Sequence, residues 1–313
     1  MRETSRIFNA MNTEVMVAVA SDGADTCAVE AALCEVERLF AHVEAEASRF
    51  RPESELSRLN ASSGQPFRAS PVLFNLVFMA KAAAQSTDGI FDPTILGALV
   101  TAGYDRSFDL LDQESVSPAA STGSARAHSW RDVGLDAQTR TIHLPPGCGL
   151  DLGGIGKGWC VDQAAAGFQR FGNFAVDAGG DIFAGGFQFD GSDWTVGVED
   201  PFMPGDDLAV IKVRDRAVAT STTACRSWTR CGRKSHHLID PRTGAPSQSG
   251  VVSATVVAES VANAEVLAKT ALLLGPEMGL RFLEERPDVS GLLVLSDGEM
   301  LCSRSFNEAE YLA

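Results

Sequence analysis

The hydrophobic periodicity of this chain changes partway along its length, and that change constrains the fold more than any other feature. Over residues 26–48, Leu33, Val36, Phe40 and Val43 recur near every 3.6 residues with Glu30, Glu37, Arg38 and Glu44 between them. The spacing predicts an amphipathic helix. Ser70 followed by Pro71 is an N-cap and first-turn pair, predicting a second helix to Ala84 that the Asp88-Gly89 turn ends. From residue 140 onward the pattern shortens to alternating or apolar runs at 140–144, Phe174–Ala178, 194–198, 208–213, 236–239, 251–257 and 292–295, which read as strands. Two helices interrupt them, one opened by a glycine-rich turn at 153–158 and one over Val261–Leu274. The expected fold class is α+β with a largely antiparallel sheet. Residues 115–129, rich in Ser and Ala with Pro118 and Gly123, read as a loop.

Size and charge narrow the function classes. A chain of 313 residues that is 45% apolar suits one large domain, 1–313, or two intimately packed lobes. Its apolar stretches fall short of the roughly 20 residues that cross a bilayer, so no membrane span is expected. The first twenty residues carry Glu3 and Glu14 and lack a cleavage-site pattern, which predicts a cytoplasmic protein. Seven cysteines without a CxxC pair predict reduced, mostly buried thiols, with Cys27 and Cys34 as core neighbours and no zinc site at Cys225 and Cys231. A formal charge of −15 repels nucleic acids and anionic membranes. A phosphate ligand therefore needs a local cluster of positive groups.

Three segments carry candidate chemistry. Residues 150–163, LDLGGIGKGWCVDQ, run from an apolar strand through a glycine turn into a helix, where backbone amides, the helix N-terminus and Lys157 offer an anion site. The spacing is neither GxGxxG nor a P-loop. The plainer alternative is that these glycines only permit a tight turn. Residues 176–180, VDAGG, followed by Asp181, read as a hairpin turn. Residues 235–246, SHHLIDPRTGAP, place His236 and His237 on opposite faces of an extended strand, so the chain must bend at Pro241 before His237 and Asp240 converge. The plainer roles are a histidine donating to a backbone carbonyl and an aspartate capping the turn.

Taken with Met11-Asn12-Thr13, SRFRPESELSRLN at 48–60, DGIFDPTI at 88–95 and AEVLAKTALLLG at 264–275, these segments make ordered blocks over most of the chain. Together they resemble the ApbE family of FAD:protein FMN transferases. The resemblance implies FAD in a cleft between helices and sheet, contacted by Met11, Ser57, Asn60, Gly153, Gly154, Lys157, Asp177, Gly179, Gly180, His237 and Arg242. It implies Mg²⁺ on the pyrophosphate and attack by a Thr or Ser hydroxyl of an acceptor protein on the FMN phosphorus, with AMP leaving. Lys157, the turn amides, Arg242 and a metal would neutralise charge, and His237 or Asp240 would serve as base. FAD carriage without transfer, or hydrolysis of FAD to FMN and AMP, are the alternative expectations.

One departure stands out. The resemblance implies metal ligands at Gly156, through its carbonyl, and at an Asp and a Thr one helical turn apart; this chain has Glu265 and Lys269 there. Glutamate can ligate Mg²⁺, whereas a charged ammonium has no lone pair. Glu265 and Lys269 are then either a surface i,i+4 pair or a site where Lys269 takes the place of the metal.

Overall fold

The computed structural model describes residues 2–21, 26–111, 114–115, 128–230 and 233–308. Most of the expected 115–129 loop lies outside them. The chain forms two compact units: residues 1–42, 157–222 and 250–313 make one, and residues 43–156 and 223–249 make the other.

The first unit is built on an eight-stranded sheet whose spatial order follows the chain: Arg2–Ala10, Thr13–Ser21, Phe174–Ala178, Ile182–Gly185, Arg216–Thr222, Val251–Ala258, Ser290–Leu295 and Met300–Cys302. Every neighbouring pair is antiparallel. The fold is α+β with an antiparallel sheet, as the periodicity predicts. A two-residue turn at Met11 (φ 51°) and Asn12 (φ 61°) joins the first two strands. Asn tolerates the left-handed region, but Met there is strained, and such strain concentrates at functional sites. Helix Val261–Leu274 lies against strands Arg216–Thr222 and Val251–Ala258 and is buried nearly all round. Val218 and its cross-strand partner Val257 join a second cluster with Val196, Val198, Ile211 and Val213 of the hairpin Trp194–Glu199 and Asp207–Val213, closed by Phe306.

The second unit carries helices Glu55–Ala61, Pro71–Ser86 and Leu96–Ala102 with three small sheets. Ser70 caps its helix by accepting from Leu73 N at 3.2 Å. The predicted 236–239 strand divides instead: Arg233–His236 pairs with Ser227–Arg230, while Ile239–Asp240 pairs with Ala245–Pro246. The chain bends between the two histidines and the aspartate, before Pro241 rather than at it. Among the thiols, Cys148 and Cys160 are buried, but Cys27 is exposed and Cys34 only half-buried, so that pair is not a core contact.

Candidate functional site

In the first unit the site grows from the close meeting of two helices, Gly156–Phe168 and Val261–Leu274. A Cβ on Gly158 would lie 2.7 Å from both Cα and N of Ala262, so no other residue fits. Each helix then supplies a carboxylate to the other's N-terminal amides. Asp162 Oδ1 accepts from Val261 N at 2.7 Å and Oδ2 from Ala262 N at 3.0 Å. Glu265 Oε2 accepts from Gly158 N at 3.1 Å. Both placements satisfy orphan amides and complement the helix dipoles. Asp162 is a residue that sequence reasoning did not single out; its signal is an acidic residue one turn beyond Gly158.

Glu265 is 7% exposed, which excludes a surface pair with Lys269. Burial, with the negative charge of Asp181, pushes its carboxyl up to about 7, against the opposing pull of Lys157, Lys269 and the Gly158 amide. A carboxyl raised in the folded state keeps a proton that the unfolded chain has lost. The stability it contributes is therefore complete below its ordinary value near 4.5 and is lost as pH rises through about 7. Glu265→Gln keeps an acceptor for Gly158. It is expected to flatten this decline, which is on the order of 3 kcal/mol, and the check is denaturant unfolding of both proteins across pH 4.5 to 7.5. Parallel curves for the two proteins would refute the assignment.

Lys157 does not present a free charge to a ligand. Its Nζ pairs with Asp181 Oδ2 and approaches Ala178 O at 3.5 Å, and its side chain is 16% exposed. This buried ion pair ties the helix start to the hairpin of Phe174–Ala178 and Ile182–Gly185. At that hairpin's turn, Gly179 (φ 65°) and Gly180 (φ 89°) both need positive φ, and Asp177 Oδ1 accepts from Gly180 N at 2.8 Å. A Cβ on Gly179 would collide with Thr13 Oγ1. The Met11-Asn12-Thr13 turn and the Gly179-Gly180 turn thus meet at one edge of the sheet, with half-buried Asp177 beside them. Burial raises the Asp177 carboxyl above its usual range, with Asp181 and Glu14 adding to it and Gly180 and Lys157 opposing it.

The glycine turn itself spends its amides inside the protein. Gly153 N donates to Asp151 Oδ1 at 2.9 Å, Ile155 N and Gly156 N donate to Leu152 O, and Gly158 N donates to Glu265. These bonds give the amides of Gly153, Ile155, Gly156 and Gly158 the structural role of the plainer reading, a tight turn.

In the second unit, the segment leading into that turn is clamped. Asn60 Nδ2 donates to Leu150 O at 2.9 Å and Asn60 Oδ1 accepts from Leu150 N at 2.8 Å. Both ends of its amide serve one backbone residue, so Asn60 holds the segment before the turn, which forms no strand where the sequence led to one being expected. Ser57 sits on the same helix, Glu55–Ala61, with its hydroxyl 3.5 Å from Arg49 O. Arg49, 6% exposed, is the residue the sequence concealed: its Nε reaches Asp151 Oδ2 at 2.5 Å, its Nη1 donates to Tyr104 O at 2.9 Å, and its guanidinium lies 4.0 Å over the Phe50 ring and 4.6 Å over Tyr104.

The histidine segment sorts its polar groups. His236 Nε2 is 3.0 Å from Ser247 O, a structural contact. His237, half-buried, meets the Tyr104 ring edge-on at 6.4 Å, beside the cluster of Tyr104, Trp228, Leu99 and Ile239. Asp240 is held by Arg242: Nε to Oδ1 at 2.9 Å, Nη2 to Oδ2 at 2.8 Å, and Arg242 N to Oδ1 at 2.8 Å. This fork and the Arg242 amide engage both carboxylate oxygens.

The ApbE family model matches residues 11–293. The chain is similar to the FAD:protein FMN transferase of Treponema pallidum, with 32% identity covering 97% of this chain and 87% of that protein, and to the one of Vibrio cholerae, with 32% identity covering 80% and 75%. Its fold is similar to the crystal structure of the ApbE protein from Thermotoga maritima, with a TM-score of 0.87, 25% identity and 99% of each chain covered. It is also similar to the structure of the flavin transferase ApbE from Vibrio cholerae, with a TM-score of 0.81, 26% identity and 98% and 99% covered. The chain belongs to the ApbE family.

Proposed function

We infer that this protein is a FAD:protein FMN transferase, with FAD and an acceptor protein as its two substrates. The full-length relationship to enzymes of that name carries the reading. In the reaction, a Thr or Ser hydroxyl oxygen of the acceptor attacks the FMN phosphorus of FAD. The bond from that phosphorus to the bridging oxygen breaks, AMP leaves with that oxygen, and the hydroxyl proton passes to the imidazole of His237. Such a transfer is mostly positioning and charge neutralisation.

The chain's own residues divide this work. The turns at Met11 and at Gly179 and Gly180, with Asp177 beside them, offer FAD a rigid edge. Asn60, Arg49 and Asp151 fix the approach to the glycine turn. Asp240 orients Arg242, whose side chain is 49% exposed and so able to meet a phosphate while paired. A divalent cation does not fit the donor set. The helical turn that carries Glu265 continues into the ammonium of Lys269, which has no lone pair to offer.

Intact-mass spectrometry after incubation with FAD and a flavinylatable acceptor domain tests the reading. An FMN-sized gain on the acceptor with AMP released is expected. Intact FAD beside unmodified acceptors would replace the transferase with a carrier, and free FMN with AMP in the absence of acceptor would replace it with a pyrophosphatase.

A further inference from the structure

We propose that Lys269 is the built-in cation of the pyrophosphate subsite in this protein, so that FAD binds without a divalent metal. The proposal rests on the transferase reading only for the identity of the ligand. Helix Val261–Leu274 places Glu265 and Lys269 one turn apart on one face. Glu265 is buried and already accepts from the Gly158 amide, so one of its oxygens serves the helix start. Asp181, the other carboxylate in its field, is bound by Lys157.

Lys157 and Lys269 both act on the Glu265 carboxyl, so positive charge reaches this place from side chains with no added ion. A Mg²⁺ ion demands six oxygen donors in near-octahedral array. Here it would find the ammonium of Lys269, which offers three donors and no lone pair and repels a dication. A pyrophosphate, by contrast, brings acceptor oxygens and negative charge to a half-buried lysine. The lysine supplies as a side chain what a bound metal would supply as an ion: a fixed positive charge on the leaving phosphate.

The experiment is equilibrium binding of FAD, by calorimetry or flavin fluorescence, to the metal-stripped wild-type chain in chelator and again in excess Mg²⁺. The two dissociation constants should agree within about twofold. Lys269→Thr, which introduces a hydroxyl ligand beside Glu265, should bind FAD at least about tenfold more weakly in chelator and regain affinity with Mg²⁺. Lys269→Met, which keeps the length without the charge, should stay weak in both. Thermal melts establish that each variant is folded, and the wild-type comparison needs no variant. Loss of wild-type affinity by about tenfold or more on chelation would overturn the proposal, as would undiminished affinity of folded Lys269→Met in chelator. Failure of wild-type protein to bind FAD in either condition would instead overturn the transferase reading.

Discussion

Arg49→Ala is expected to destabilise the second unit by about 3–5 kcal/mol, a large share of the stability of any domain. Three losses combine. The carboxylate of Asp151, whose side chain is 14% exposed, loses a partner at 2.5 Å. Tyr104 O loses its donor, and the rings of Phe50 and Tyr104 lose the cation packed between them. The first is the largest, because an uncompensated charge near the interior costs more than the ion pair contributes. Arg49→Ala/Asp151→Asn should therefore recover about 1–2 kcal/mol relative to Arg49→Ala alone, the coupling expected of groups in direct contact. Arg49→Lys should remain destabilised, since an ammonium lacks the widely spaced donors that reach Asp151 and Tyr104 O from one side chain and the flat face that packs on Phe50. Urea unfolding of the four proteins measures these differences. A change below about 1 kcal/mol for Arg49→Ala would mean that the pair is dispensable.

Asp151 also gives this prediction a functional side. Its second oxygen holds Gly153 N, so the ion pair and the glycine turn are one hydrogen-bonded chain from Arg49 to the start of the helix. None of this was visible in the sequence. Arg49 stands 102 positions before Asp151, and nothing local marks either as buried. The same holds for Lys157, whose partner Asp181 stands 24 residues on.

What the sequence did reveal was local. Helix Val261–Leu274 and strand Phe174–Ala178 fall on their predicted bounds, because caps, period and turn residues are written within a few positions. The segment 236–239 misled because its alternation suits a strand while its hydrogen bonds divide between two pairs. Strand Arg216–Thr222 was missed because its small and hydroxylated residues lack a strong apolar alternation, yet it is a central strand flanked by Ile182–Gly185 and Val251–Ala258. The Met11-Asn12 turn has no glycine to announce it, although both residues hold positive φ. The resemblance to the family drew attention to Met11, Asp177, Gly179 and His237 as positions. Only the fold explains why the two turns touch through Thr13 and Gly179.

His237→Ala is expected to lower the rate of FMN transfer by about 10²–10⁴-fold, the range for removing a positioned proton acceptor, while FAD affinity changes little. The neighbouring polar groups of its segment are committed elsewhere. His236 is committed to Ser247 O, and both oxygens of Asp240 are committed to Arg242. His237 stands edge-on to Tyr104, a contact that fixes the ring plane. Asp240→Asn separates the two roles: it loosens the Arg242 fork and should weaken FAD binding more than it slows the bound complex, by about tenfold if one charge-assisted pair to phosphate is misplaced. Single-turnover transfer to an acceptor, measured with saturating FAD, reads the chemical step directly. A wild-type single-turnover rate in His237→Ala would remove the imidazole from the reaction, and an Asp240→Asn rate as low as that of His237→Ala, with FAD affinity intact, would move the proton to the carboxylate.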